Sequence, residues 1–93
     1  MKTVWRFQLQ LIDEQEIEMP KGAVPIKVGS MENEPCLWAL VDDSLEYKKY
    51  KIYMFGTGHS IPAYLNIDYL GSSKITKFDE LIFHVFIESK KVQ

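Results

Sequence analysis

The sequence predicts an all-β, mainly antiparallel fold: a small β-sandwich or partly closed barrel of about seven strands, with one short helix near residues 62–70. Two observations carry that expectation. Apolar residues recur with period two along almost the whole chain, while the 3.6-residue period of an amphipathic helix is nearly absent. The alternating runs are short and are separated by clusters of Pro, Gly, Asp and Ser, the residues that build turns.

The clearest strand is "VWRFQLQL", residues 4–11, with Trp5, Phe7, Leu9 and Leu11 on one face and Arg6, Gln8 and Gln10 on the other. "DEQ" interrupts it. Alternation resumes in "EIEM" with Ile17 and Met19, and "PKG" then makes a turn in which Pro20 presets φ and Gly22 tolerates positive φ, so a first hairpin is expected. "AVPIKV" puts Val24, Ile26 and Val28 on one face. Pro25 has no N–H for a ladder, which assigns this strand to a sheet edge or gives it a bulge. "GSMENEP" reads as a polar loop.

"CLWALV", residues 36–41, is apolar on both faces, as a covered central strand is, with Trp38 as an expected core anchor and Asp42 and Asp43 as its end. "YKKYKIYMF" alternates again. Lys49, Lys51, Tyr53 and Phe55 fall on one side, and Tyr50, Ile52 and Met54 on the other. "IPAYLNIDYL" lacks strict alternation, and Pro62 suits a first helical position, with Gly71 as the cap. A last hairpin joins "SKIT" to "ELIFHVFIE" across "KFDE", with Leu81, Phe83, Val85 and Ile87 opposed to Ile82, His84 and Phe86.

The 93 residues, 46% apolar and 13% aromatic, suit one domain with a modest core spanning residues 1–93. Thirteen carboxylates against eleven bases give a net charge of −2, which argues against nonspecific binding to duplex DNA. The longest apolar runs are far too short to span a membrane, and the start alternates where a signal peptide would be continuously apolar, so no membrane association is expected. A lone Cys36 rules out an intramolecular disulfide and agrees with a reducing, cytoplasmic setting.

"FGTGH", residues 55–59, offers the first candidate site. Glycines after a strand can present backbone N–H groups as an anion-binding nest, with Thr57 and Ser60 adding hydroxyls. A phosphate loop proper would need a longer glycine spacing and a lysine, so the other reading is a tight strand exit with His59 bonded to backbone. His59 and His84 could pair as acid and base in a phosphoesterase, but the two-histidine enzymes of that type place a hydroxyl residue two positions after each histidine. Ile61 and Phe86 stand there instead, which favours His84 as a partly buried strand residue with a local partner. No ligand spacing points to a metal, and no cofactor is implied. Cys36, following Pro35 at the start of an apolar strand, reads as a small hydrophobe and not as a nucleophile. Glu14, Glu16 and Glu18 read as a solvated strand face.

The second candidate is the stripe of Lys49, Lys51, Tyr53 and Phe55, with Tyr47 and Lys48 before it and Gly56, Thr57, Gly58, His59 and Ser60 after it. Rings for stacking, cations for phosphate and possible backbone donors would suit a nucleotide. The competing reading is an edge strand whose lysines block edge-to-edge pairing.

The succession "IEMPKGA", "PCLWALVD", "FGTGHSIP", "YLG" and "FHVF" resembles a family of small bacteriophage proteins of uncharacterised function, over roughly residues 5–86. The resemblance implies phage origin and action in the cytoplasm of the infected bacterium; it assigns no reaction and no site residues. Two functions are weighed. The first is a non-catalytic, counter-defence protein that binds a host protein or sequesters a small nucleotide signal, with ligand contacts from Lys49, Lys51, Tyr53, Phe55 and residues 56–60. The alternative is a small phosphoesterase or nuclease using His59. Exposed aromatics and open sheet edges also raise a homo-oligomer.

Overall fold

The computed structural model describes residues 1–76 and 81–89, and its seven strands are all antiparallel. They are β1 (Lys2–Gln8), β2 (Glu14–Pro20), β3 (Val24–Met31), β4 (Glu34–Asp42), β5 (Tyr47–Gly56), β6 (Ile67–Ile75) and β7 (Leu81–Glu88). Sheet A has the order β1-β4-β3 and sheet B the order β2-β5-β7-β6, so the molecule is a sandwich of three strands on four. The "KFDE" turn lies outside the described residues.

Alternation decides which side chains lie between the sheets. Leu37, Ala39 and Val41 of β4 meet Ile52 and Met54 of β5, Met19 of β2 and Val85 of β7, with Leu9 closing one end. Each fully buried Leu, Ile or Met of this set stabilises the fold by about 1.5–3 kcal/mol through the area it removes from water. "CLWALV" is the middle strand of sheet A, but only one of its apolar faces is covered: Leu37, Ala39 and Val41 are buried, while Trp38 and Leu40 are half-buried on the other. Trp38, however, is not a core anchor. It pairs across the ladder with Arg6 and Lys27 on the outer face, where the Lys27 ammonium sits 5.0 Å from its ring and Gly29 leaves room for it.

Pro25 sits on an edge strand, and the β3–β4 register shifts between Pro25 and Lys27, so both consequences of its missing N–H are present. The expected polar loop at residues 29–35 contracts to two residues. Met31 pairs with Glu34, and Glu32 (φ 51°) and Asn33 (φ 64°) make a turn with two positive φ values, the geometry that matches strand twist in a two-residue hairpin.

The strand expected over 4–11 ends at Gln8, and two further expectations fail. The "PKG" turn forms, with Gly22 at φ 79° and Ala23 N–H bonded to Pro20 C=O at 3.1 Å, but it does not make a hairpin. Tyr50 explains the departure: its hydroxyl accepts from Gly22 N–H at 3.0 Å and donates to Pro20 C=O at 3.3 Å, holding the turn against β5 while the chain leaves for the other sheet. Among the described residues there is also no helix at 62–70. A single turn, Leu65 N–H to Pro62 C=O at 3.2 Å, is followed by β6, because Ile67 and Tyr69 find ladder partners in Glu88 and Phe86 and no apolar helical stripe exists to bury.

Gly71 is therefore no helix cap. It sits inside β6 at a register shift, with φ 150°, where a Cβ would approach Val28 of β3 to 3.0 Å. The same close approach joins the two sheets along one side. Ser30 Oγ donates to Lys74 C=O at 2.7 Å and lies 2.7 Å from Ser73 Oγ, while Asn33 Oδ1 accepts from Thr76 N–H at 2.8 Å. Among the described residues the opposite side, between β1 and β2, has no ladder. No helix among the described residues is long and apolar enough to cross a membrane.

Candidate functional site

β5 carries most of the sequence-predicted site, and its neighbours decide what that site can do. Glu16 faces Lys51 and Glu18 faces Lys49 across the β2–β5 ladder, and Glu14 Oε2 lies 3.3 Å from Lys51 Nζ. That contact raises the Lys51 pKa. The lysine stripe is thus matched by a carboxylate stripe, and the face has little surplus positive charge for a phosphate. Nor is β5 an edge strand: β2 lies on one side and β7 on the other, so the edge-blocking reading of its lysines is set aside. Lys48 is also engaged, its ammonium lying 5.5 Å from the Tyr50 ring.

The aromatic half of the stripe is built into a larger cluster. Tyr53 and Phe55 stack at 6.4 Å, Phe55 meets Phe86 edge-on at 6.1 Å, and Phe86 meets Tyr69 edge-on at 5.3 Å. Tyr69 also lies 6.2 Å from the His84 ring. These rings cross β5, β7 and β6 on the outer face of sheet B. Residues 57–66 arch over one end, which leaves Tyr53 and Phe55 almost fully covered while Tyr69 is 58% and Tyr64 85% exposed. Burial pushes the Tyr53 phenol pKa up. Between loop and sheet lies a cleft of about 260 Å³, walled by Tyr53, Phe55, Pro62 and Tyr64 and edged by Asp13, Glu14 and Ser60.

"GTGH" is first of all a turn. His59 N–H bonds to Gly56 C=O at 3.0 Å and Thr57 N–H to Ile82 C=O at 3.2 Å, with Gly58 at φ 91°. Two of the amides that an anion nest would use are therefore already spent. The His59 ring lies over Gly56 and lines a second hollow, of about 330 Å³, with Thr57, Leu81 and Phe83. The side-chain pairing falls on the other histidine: Thr57 Oγ1 is 2.8 Å from His84 Nε2. His84 thus has the local partner expected of it.

The nine sequence-predicted residues do not converge. Lys49 and Lys51 border a third, smaller hollow of about 200 Å³ beside Glu88; Tyr53, Phe55 and Ser60 line the aromatic cleft; and Gly56, Thr57 and His59 line the hollow above β7. What sequence reasoning missed is Phe86, Tyr69 and Tyr64. For Phe86 and Tyr69 the signal was the cross-strand register that sets them in one row with Tyr53, and register cannot be read from one strand at a time; Tyr64, in the loop, had none. Cys36 is buried, and burial raises its thiol pKa, as suits a small hydrophobe. Among the described residues no group of three or more His, Cys, Asp or Glu side chains is placed to hold a metal ion.

Comparison with known families adds one fact: residues 1–93 match the model of a family described as a domain of unknown function, DUF7352. The chain belongs to that family. No curated protein and no solved structure matches it. The family spans both sheets and all three hollows, so membership covers the whole fold without singling out a site.

Proposed function

We propose that this member of DUF7352 is a non-catalytic binding protein that engages its target through the outer face of sheet B. The observation that carries the reading is the row of rings from Tyr53 through Phe55 and Phe86 to Tyr69, with exposed Tyr64 on the loop beside it. Aromatic rings on a rigid sheet supply contact area at low entropic cost, which is what a recognition face needs. The balanced charges of β2 and β5 favour a protein target over a nucleotide, because phosphate would find its lysines already facing glutamates. The sequence resemblance to small phage proteins supports phage origin, action in the infected cell's cytoplasm and a role in countering host defence.

A second reading has one observation in its favour. Thr57 Oγ1 and His84 Nε2 at 2.8 Å resemble a hydroxyl nucleophile beside its base, so a small phosphoesterase would use that pair, with His59 across the hollow.

The test compares wild type with Tyr64→Ala/Tyr69→Ala, two exposed positions whose loss leaves the core intact. Wild type should capture a defined host protein from bacterial lysate, and the double variant should lose it. Native mass spectrometry with mono-, di- and cyclic nucleotides supplies the other arms. An intact nucleotide retained at fixed ratio would move the target to a nucleotide signal, and a nucleotide converted by wild type but not by His84→Gln or His59→Gln would replace the binding reading with the enzymatic one.

A further inference from the structure

We infer that β1 is a docking edge for a second copy of this chain, giving a homodimer with a continuous six-stranded sheet across the two copies of sheet A. Open sheet edges invite pairing, and proteins normally blunt them with proline, bulges or charge. Three of the four edges here are blunted. β3 contains Pro25 and a register shift, and β6 contains the shift between Tyr69 and Gly71; these two edges also bond to each other through Ser30. β2 presents Glu14, Glu16 and Glu18 and ends at Pro20.

β1 has neither proline nor bulge, and its two charges, Lys2 and Arg6, stand four residues apart and leave Thr3, Val4 and Trp5 uncharged between them. Its sequence "KTVWRFQ" runs in unbroken register with β4 from Lys2↔Asp42 to Gln8↔Cys36, and Thr3, Val4, Trp5 and Phe7 are all good strand formers. The seam beside it is apolar and incompletely covered. Trp5 and Phe7 are half-buried, Trp5 leans on Tyr47 at 6.4 Å, and Tyr47 is 55% exposed.

The sequence of β1 also selects the occupant and the register. When two copies pair antiparallel about a two-fold axis perpendicular to the sheet, residues directly opposite must lie on the same face, so the axis passes through a residue. Centred on Trp5, the pairs are Lys2 with Gln8, Thr3 with Phe7, Val4 with Arg6, and Trp5 with its own copy. No like charges meet. Centred on Val4, Lys2 would face Arg6; centred on Arg6, that guanidinium would face itself. Of the central registers, the one on Trp5 joins the aromatic seams, separates the cations and pairs all seven residues of the strand; centres on Thr3 or Phe7 pair only three of them. It also turns the outer faces of both sheet B copies to the same side, so that the dimer presents two binding faces together.

The test is sedimentation velocity over ~1–300 µM protein, a range that brackets micromolar dissociation constants. Wild type is expected to pass from monomer to dimer with no larger species. Val4 is 48% exposed, so it can be changed without touching the core. In the Trp5 register Val4→Lys sets a cation against Arg6 and should weaken the dimer by roughly fivefold or more, whereas Val4→Glu sets a carboxylate there and should hold or tighten it. Circular dichroism checks that both variants fold, and Gln8→Lys against Gln8→Glu, exposed positions facing Lys2 in the same register, is the substitute pair if either does not. A wild type that stays monomeric throughout, an open series of oligomers, or equal dissociation constants for Val4→Lys and Val4→Glu would each overturn the proposal.

Discussion

At the scale of single residues, Glu32 and Asp42 show how local geometry sets free energy. Glu32 holds φ at 51° with a long side chain that gains nothing from it, since a left-handed conformation crowds Cβ against the backbone. Asn adopts that conformation more readily, so Glu32→Asn should stabilise the domain by roughly 0.5–1 kcal/mol, read as a rise of a few degrees in melting temperature. Asp42 accepts hydrogen bonds from Ser44 Oγ at 2.6 Å and Ser44 N–H at 3.1 Å, and the Met1 ammonium lies 3.1 Å away. These contacts, Ser44 foremost, lower its pKa from 3.8 to about 2. A carboxylate with a depressed folded pKa stabilises the fold above its unfolded value, and that contribution is lost as pH falls through the interval from 3.8 to about 2. Ser44→Ala should move the Asp42 titration upward in carboxyl carbon NMR and bring acid unfolding to higher pH. An unchanged titration would show that Ser44 is not the main cause.

At the scale of elements, strand alternation was legible and strand pairing was not. The inward face of β1 followed from period two as far as Gln8, although the expected strand over 4–11 stops there and leaves Leu11 36% exposed, and Pro25 announced both edge and bulge. Trp38 was misjudged because both faces of β4 are apolar and nothing in the strand itself says which is inside. The helix at 62–70 failed for the opposite reason, since its residues have no period of their own and took the strand their neighbours offered. The site suffered most from missing register. Read alone, β5 is a cationic aromatic stripe; beside β2 it is half of a charge-balanced pair, and beside β7 and β6 it is the start of a ring cluster. That pairing has its own test. Glu16→Lys puts a like charge opposite Lys51 and should lower the melting temperature, about 0.5 M salt should shrink the difference, and adding Lys51→Glu should restore the loss. If Glu16→Lys melts as wild type does at low salt, the cross-strand match contributes nothing measurable.

At the scale of the whole molecule, two sheets of three and four strands share one core, and among the described residues hydrogen bonds join them along the β3–β6 side. The bond is small and directional. Ser30 has a single hydroxyl proton, and it goes to Lys74 C=O at 2.7 Å, so in the 2.7 Å contact between the two serines Ser73 must be the donor and Ser30 the acceptor. Ser73 is 1% exposed. Removing its acceptor with Ser30→Ala leaves a buried hydroxyl unsatisfied and should cost about 1–3 kcal/mol. Ser73→Ala leaves Ser30 still bonded to Lys74 and should cost less. The double variant, which removes both groups, should cost less than the sum of the two, because no buried donor remains to be orphaned. Denaturant melts of the four proteins close that cycle. Additive costs would mean that the serines act independently, leaving the join between the sheets to Asn33 with Thr76 and to the fit of Gly71 against Val28.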